Sequence, residues 1–413
     1  MEAAIKNDSV VREERKPIPA IIATVAVMMS IVFTCATQAV NPAMTSIMAY
    51  FGVTTGETGL ILTFNAIIGL VLAIPGGRLY VKFGPRVLGT FAFACCILGN
   101  TLGYFATSFA MLLVGAAIQG VAFSMSALMG PAMIAAVYPP ERRGLPLAIL
   151  SANVGIGTML ILNLANLVLD AANPASWKNV WLLNICLLVI MFVVFLIFVR
   201  MPKPESEMSE QEHAKGVIGP VLRNPRVWLC MLMFFGFSCG TQVGTSFAST
   251  YFQNGLGMDL AQANTLSSML PLSMVIGALV LGVILSKFPK FYLFLVIGAV
   301  MSAIAFAAVF STSAEMAPFV MVFVGVSLAI LPPCVQSIAS TIVSPALVGM
   351  AMGMISFANA CTLVAPAIQG YVMANIGWGG AAVVQGIFGL ICVVAAIGLA
   401  IIHRRDVANG TAA

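Results

Sequence analysis

Long apolar stretches, each ended by a short polar break, are the dominant pattern along this chain. About 20 consecutive apolar residues are enough for a helix to cross the hydrocarbon core of a bilayer. We therefore predict twelve spanning helices, closed by breaks such as Gly84-Pro85-Arg86 and Ser344-Pro345. The predicted spans are approximately residues 18–46, 58–80, 87–107, 109–137, 144–169, 178–200, 227–252, 260–286, 291–311, 316–340, 348–374 and 380–402.

The composition excludes a soluble enzyme. Of the 413 residues, 61% are hydrophobic and 8% are charged, and the mean hydropathy is +1.05. Soluble domains carry roughly a quarter charged residues. All nine cysteines fall in apolar stretches, where they indicate packing rather than a disulfide framework or a metal site. The first apolar stretch is too long for a cleaved leader and is predicted to be the first span.

The distribution of basic residues predicts the orientation of the chain. With the N-terminus in the cytoplasm, the cytoplasmic segments hold 18 of the 19 lysines and arginines, and only Lys178 falls outside them. Cytoplasmic loops of membrane proteins are enriched in these residues. Both termini are therefore predicted to be cytoplasmic. The net charge of +5 reports this topology, and no nucleic-acid partner is predicted.

An internal repeat divides the chain into two similar halves. Cys35-Ala36-Thr37-Gln38-Ala39 returns as Cys239-Gly240-Thr241-Gln242-Val243, 204 residues later, and Ala152-Asn153 returns as Ala358-Asn359. Paired repeats around a midplane site are typical of secondary transporters. The predicted organisation is a cytoplasmic tail (1–17), a six-helix bundle (18–200), a cytoplasmic linker (201–226), a second six-helix bundle (227–402) and a C-terminal tail (403–413).

The connection between spans 2 and 3 carries a motif that resembles the major facilitator superfamily. Its matching residues are Gly77, Lys82, Gly84 and Arg86, although Val81 stands where the family has Asp. In span 4, Gln119-Gly120 matches a second family motif, with Ala116 in place of Arg. The resemblance implies an all-α integral membrane fold of twelve helices in two pseudo-symmetric bundles, alternating access, and a gating role for the first motif.

Two short segments resemble one branch of that superfamily. Lys82-Phe83-Gly84-Pro85-Arg86 and Asn153-x-Gly155-x-Gly157 are similar to porters of small anions such as cyanate, nitrate or oxalate. Arg78, in the last turn of span 2, is a candidate anion contact under this interpretation. The alternative is that Arg78 extends to the cytoplasmic interface, as long basic side chains do.

The predicted spans contain no clear case of a buried ionisable residue. Aspartates and glutamates lie in tails, in loops or at helix ends, and His213 and His403 lie outside the predicted hydrocarbon core. Coupling to protons usually needs a buried group that titrates, and anion transport usually needs a basic residue in the cavity. We therefore expect a neutral cavity for a neutral or weakly acidic solute.

Polar side chains form a stripe on each of two equivalent spans, 1 and 7. Residues spaced by three or four positions share one face of a helix. Such a stripe is not expected to face lipid. We predict that the stripes line the substrate path, and the alternative is hydrogen bonding between helices. The stripe residues are Thr34, Gln38, Asn41 and Thr45 in span 1, and Ser238, Gln242, Thr245 and Ser249 in span 7.

Other polar residues within spans are further candidates for the cavity wall. They are Asn65, Gln119, Asn153, Gln336 and Asn359. No catalytic residue, metal ligand or cofactor is predicted, because no general base or ligand cluster occurs within the spans.

The leading prediction is a secondary transporter that moves a small organic solute by alternating access. Alternatives are an exporter of lipophilic drugs or metabolites, a small-anion porter, a membrane-embedded enzyme and a receptor on a transporter fold. The predicted partners are a small-molecule solute and membrane lipid, with the protein acting as a monomer. Short loops favour a bacterial inner membrane.

Overall fold

The computed structural model describes residues 19–139, 142, 144–199, 221–288, 290–343, 354–355, 358 and 365–409. Thirteen α-helices lie in this part of the chain. They are α1 (Pro19–Thr37), α2 (Val40–Phe51), α3 (Thr55–Tyr104), α4 (Phe109–Val137), α5 (Gly144–Ser151), α6 (Asn153–Ala165), α7 (Trp177–Phe198), α8 (Pro225–Asn254), α9 (Leu260–Lys287), α10 (Phe291–Val309), α11 (Ala317–Thr341), α12 (Ala365–Ile376) and α13 (Trp378–Ala408).

The helices confirm an all-α fold of membrane-spanning length. Among the described residues, nine helices are long and apolar enough to cross a bilayer, with α1 and α2 counted together. Predicted span 2 and most of predicted span 3 lie within α3, which changes direction at Gly84 and ends at Tyr104, before the predicted end of span 3 at residue 107. The backbone of Gly84 has φ +78° and ψ 168°, a conformation that residues with a Cβ rarely adopt.

Each bundle has its own hydrophobic core. In the N-terminal bundle, Phe33, Phe93 and Phe195 bring α1, α3 and α7 together, and all three side chains are almost fully buried. In the C-terminal bundle, Phe247 and Phe306 belong to a core that unites α8 to α11 and α13. Met44 of α2 also packs into this second core, across the boundary between the bundles. Cores that are otherwise separate allow each bundle to move as a unit.

Matching aromatic contacts show the pseudo-symmetry of the bundles directly. The rings of Tyr50 and Trp177 meet edge-on with centroids 5.8 Å apart and an interplanar angle of 69°. Tyr251 and Trp378 lie 201 residues further along the chain and meet in the same way, at 5.1 Å and 65°. We call this end of the molecule the far end, because it lies opposite α1's first residue. It carries the α2–α3, α3–α4, α6–α7, α8–α9, α10–α11 and α12–α13 connections.

The two bundles touch through close helix contacts near the far end. Backbone approaches backbone where α3 meets α12: a Cβ added to Gly370 would lie 2.6 Å from the carbonyl oxygen of Thr55, and one added to Gly59 would lie 2.8 Å from that of Pro366. About midway along the molecule, a Cβ on Gly155 of α6 would lie 2.6 Å from a methyl carbon of Val275 on α9. Small residues allow such approaches between membrane helices.

Helices extend beyond the predicted spans at the end of the second bundle. The last span was predicted to end at residue 402, whereas α13 continues to Ala408. Asp406 in this extension forms an ion pair with Arg226 in the first turn of α8. This pair joins the end of α13 to the start of α8.

Gly325 of α11 offers a test of packing within one bundle. An added Cβ would collide with the Leu270 carbonyl oxygen and the Ser273 hydroxyl of α9, and would lie 2.9 Å from the Met274 nitrogen. We expect Gly325→Ala to lower the free energy of unfolding by about 1–3 kcal/mol, as overpacking does. Gly386→Ala on α13 has open space around the new Cβ and is the control in the same thermal unfolding measurement. Equal stability of the two variants would contradict this packing.

Candidate functional site

The polar stripe of α8 lies opposite the side on which that helix packs within its own bundle. Gly236 and Gly240 face α13 and α10, where an added Cβ would lie 2.8 Å from the Phe388 carbonyl oxygen or would collide with the Phe306 ring. Each residue of a helix is rotated by about 100° from the previous one. The stripe is therefore turned away from α10 and α13. Its members are Ser238, Gln242, Thr245 and Ser249.

The stripe of span 1 crosses a break between α1 and α2. Pro42 has no N–H to donate to Gln38 O, and Asn41 N donates to that oxygen instead at 3.1 Å, in a tighter turn. At the break, Asn41 Nδ2 donates to Gln38 Oε1 at 2.9 Å. Asn41 is buried, and its Oδ1 accepts no hydrogen bond from the residues that the structure describes. The kink thus brings two stripe amides together.

Thr34 lies against a helix of its own bundle. Its hydroxyl donates to Ser30 O at 2.9 Å, and an added Cβ on Gly157 of α6 would lie 2.8 Å from its methyl group. One position along, Cys35 Sγ donates to Gly157 O at 3.3 Å. These contacts favour the alternative interpretation of Thr34, which is packing between helices.

The two stripes approach each other at their far ends. Thr45 Oγ1 of α2 donates to Oε1 of Gln253, one turn beyond Ser249 on α8, at 2.8 Å. Nearer the middle of α8, Gln242 Nε2 donates to Ser246 Oγ at 3.4 Å, and Thr245 Oγ1 donates to backbone oxygens of its own helix. Ser238 is buried, and its hydroxyl has no hydrogen-bond partner among the described residues.

Asn65 and Gln119 lie at contacts within the N-terminal bundle. The Asn65 backbone oxygen occupies the space next to Gly120 of α4, and the buried Nδ2 of Asn65 has no partner among the described residues. Gln119 Cγ lies 2.8 Å from the position of a Cβ on Gly99. Gln119 therefore packs against the second half of α3.

The remaining wall candidates are dispersed. Asn153 begins α6 after a break at Ala152 and is half-buried, and Gln336 is exposed on α11. Asn359 lies outside the described residues.

The motif between spans 2 and 3 connects two helices of one bundle. Arg86 Nη2 donates to Leu196 O near the end of α7 at 3.4 Å, where a cation also favours the helix dipole. Lys82 is exposed, with its ammonium 5.3 Å from the centroid of the Phe83 ring. Gly77 and Arg78 belong to α3, but their surroundings lie outside what the structure describes.

Neutral groups dominate the described interior. Every buried polar side chain in the described ranges is serine, threonine, asparagine or glutamine. Described carboxylates include Glu57, which caps α3, and Asp259, which caps α9. Hydrogen bonds from the N–H and hydroxyl of Thr54 lower the pKa of Glu57. Within the same ranges, no group of three or more His, Cys, Asp or Glu side chains could hold a metal ion.

Three polar residues with inter-bundle contacts were not among the predicted site residues. Asn166 follows α6, Gln253 lies in the last turn of α8 and Asn264 lies in the second turn of α9. Gln253 continues the spacing of the α8 stripe by one turn, so periodicity could have identified it. Asn166 and Asn264 are 98 residues apart and follow no shared pattern.

Comparison with known families identifies the chain. Residues 26–361 match the model of the Major Facilitator Superfamily. This chain belongs to that superfamily. The membership confirms the resemblance noted in the sequence and the prediction that the chain is not an enzyme.

Curated relatives match over parts of their length. An MFS-type transporter of Talaromyces wortmannii, TwmF, is 32% identical over 33% of this chain and 24% of its own length. The uncharacterised MFS-type transporter YhcA of Bacillus subtilis is 28% identical over 40% of this chain and 31% of its own. The nitrite extrusion protein of the same organism is 24% identical over 44% and 43%. The matched segments thus span less than half of each relative.

Solved structures share the fold at low identity. A D-xylose–proton symporter has a TM-score of 0.74 at 18% identity, with 92% of this chain and 97% of that chain covered. A point mutant of the nucleoside transporter NupG gives 0.74 at 13%, covering 92% and 99%. A bacterial homologue of the human lysosomal transporter Spinster, inward-facing and occupied, gives 0.71 at 15%, covering 93% and 97%. These matches support the twelve-helix fold.

Proposed function

We propose that this multi-pass membrane protein is a secondary transporter of a small organic solute that is neutral or weakly acidic. The observation that carries the proposal is the set of uncharged groups at the two stripes. Asn41 Oδ1 and Ser238 Oγ are buried without partners among the described residues. A buried polar group without a hydrogen bond costs about 1–3 kcal/mol. A solute with hydroxyl or amide groups would offset that cost.

The two stripe glutamines complement each other chemically. Gln38 Oε1 accepts from Asn41, so the Gln38 amide N–H groups remain as donors. Gln242 Nε2 donates to Ser246, so Gln242 Oε1 remains as an acceptor. A solute that carries both a donor and an acceptor, such as a polyol, an amide or a protonated carboxylic acid, would satisfy both sides.

The chain is proposed to act as a monomer surrounded by lipid in a bacterial inner membrane, with both termini in the cytoplasm. The relatives from Bacillus subtilis support the bacterial location. The clustering of basic residues in the predicted cytoplasmic segments supports the orientation.

A second candidate function is a porter of small anions. The nitrite extrusion protein of Bacillus subtilis, 24% identical over 180 residues, favours it. Arg78 is the candidate contact for the anion, at the near end of span 2. In this case the bound solute would be fully ionised, and the two stripes would serve helix association.

Thermal unfolding of the purified protein against a panel of solutes separates the two functions. A ligand at a hundredfold excess over its Kd stabilises the folded state by about 2.7 kcal/mol. We expect neutral polyols and amides to raise the unfolding temperature, and carboxylic acids to do so at pH 5 but not at pH 8. Stabilisation by nitrite or nitrate at pH 8, with no response to neutral solutes, would overturn the proposal in favour of the anion porter.

A further inference from the structure

A continuous relay of hydrogen-bonded side chains crosses the far end of the molecule. Thr45 Oγ1 donates to Gln253 Oε1 at 2.8 Å, and Gln253 Nε2 donates to Ser249 Oγ at 3.0 Å. Ser249 Oγ donates to Asn264 Oδ1 at 2.5 Å, and Asn264 Nδ2 donates to Asn166 Oδ1 at 2.9 Å. Each member accepts from the one before and donates to the one after. Aligned bonds of this kind strengthen one another.

The relay crosses the boundary between the bundles twice. It starts on α2 and ends after α6, both in the N-terminal bundle, while its three middle members lie on α8 and α9 of the C-terminal bundle. Asn166, the last member of the relay, makes two further contacts with α9. Its Nδ2 lies 3.3 Å from Ala261 O and 3.2 Å from Thr265 Oγ1. Separation of the bundles at this end would break four of these contacts together.

Burial makes the middle of the relay costly to leave unpaired. Ser249 is 1% exposed and Asn264 is 0% exposed. An amide or hydroxyl that loses its partner without gaining water is destabilising. Asn264 bonds Asn166 across the boundary and therefore resists a partial opening that breaks this bond before water enters. Ser249 donates to Asn264 within the C-terminal bundle.

We propose that Thr45, Gln253, Ser249, Asn264 and Asn166 form an uncharged latch that holds the two bundles together at the far end, and that its release is a required step when this end opens. No member of the latch carries a charge. The closed state is therefore predicted to be equally stable at pH 5.5 and pH 8, and at low and high salt, unlike a closure made by ion pairs.

Access of a thiol reagent through the far end tests the latch. Ser238→Cys places a reporter on the polar stripe of α8. This position lies about three helical turns before Ser249, further from the far end than the relay. In right-side-out membrane vesicles, a membrane-impermeant maleimide is expected to label this reporter slowly. Adding Asn264→Ala or Asn166→Ala should raise the labelling rate about tenfold, which corresponds to about 1.4 kcal/mol. The protein without the reporter corrects for the nine native cysteines.

Asn163→Ala is the matched control, because Asn163 lies one turn before Asn166 and bonds only Met159 O of its own helix among the described residues. It should leave the labelling rate unchanged. The double variant Asn166→Ala/Asn264→Ala should accelerate labelling by less than the product of the two single effects, since both single variants remove the bond between Asn264 and Asn166. Thr45→Val keeps the side-chain shape and should also accelerate labelling. Labelling of the Asn264→Ala and Thr45→Val variants at the rate of the control, in protein that elutes as a single folded species, would overturn the latch.

Discussion

Replacing Gln38 and Gln242 by leucine should abolish transport while leaving both bundles folded. In each glutamine one atom of the side-chain amide, Nε2 of Gln38 and Oε1 of Gln242, makes no hydrogen bond with the described residues, on the face that we assign to the substrate path. Loss of a hydrogen bond to a desolvated solute costs about 1–3 kcal/mol. Each single variant should therefore lower uptake at limiting solute concentration by about 5- to 150-fold.

The measurement uses the solute that gives the largest thermal stabilisation, followed as radiolabelled uptake into proteoliposomes. The same variants should lose the ligand-induced rise in unfolding temperature. Full retention of uptake by the double variant would exclude the stripes from the binding site and leave helix association as their role.

Gln385→Leu is the informative contrast. Gln385 is a buried glutamine of α13, whose Nε2 donates to Gly240 O at 3.2 Å and holds α13 against the packing side of α8. Its replacement should lower the unfolding temperature without removing the ligand response. If Gln385→Leu and Gln242→Leu behave alike, loss of transport reflects misfolding rather than loss of binding.

Replacing Gly370 by leucine should prevent the far end from closing. An added Cβ at this position meets the Thr55 carbonyl oxygen at 2.6 Å and Gly56 Cα at 2.7 Å, both on α3 of the other bundle. These two backbone atoms cannot move aside in the way that the end of a flexible side chain can. Overpacking costs about 1–3 kcal/mol, which would shift the equilibrium between closed and open far ends by about 5- to 150-fold.

We expect this variant to fold, because its own bundle core does not need the contact, but to lose transport. A Ser238→Cys reporter should label rapidly from the far end in Gly370→Leu membranes, as in the latch variants. Gly379→Leu is the control, since a Cβ there meets open space. Slow labelling and normal uptake in Gly370→Leu would contradict a closed far end built on the α3–α12 contact.

The sequence predicted the fold class because membrane helices leave a strong one-dimensional signal. Long apolar stretches separated by glycine, proline and charged residues were sufficient for the all-α twelve-span assignment, which the family match and the solved structures confirm. The motif at Gly84 marked the boundary between two spans, and the backbone there has the positive φ that glycine permits. The sequence pattern does not give the ends of helices: α13 continues past residue 402 to Ala408, and Asp406 in this extension pairs with Arg226.

How well the sequence predicts a candidate-site residue depends on how far along the chain its contact partners lie. Periodicity places Gln38, Asn41 and Gln242 on continuous faces, since three or four residues make one turn. It could not separate them from Thr34, which has the same spacing but packs on Gly157. Whether a polar residue on a stripe faces a path or a neighbouring helix depends on which helix packs beside it, and spacing along one helix contains no information about that neighbour.

By itself the sequence determined that the chain crosses a membrane and that its halves are repeated, and it predicted a neutral cavity. These properties follow from composition and local periodicity. Only the tertiary structure decided that α3 meets α12 through glycine backbone, and that Asn166 and Asn264 join two bundles. Those contacts link residues roughly 100 or more positions apart. They exist because separately packed bundles bring distant segments within hydrogen-bonding distance, and that distance is set by helix packing rather than by any local pattern.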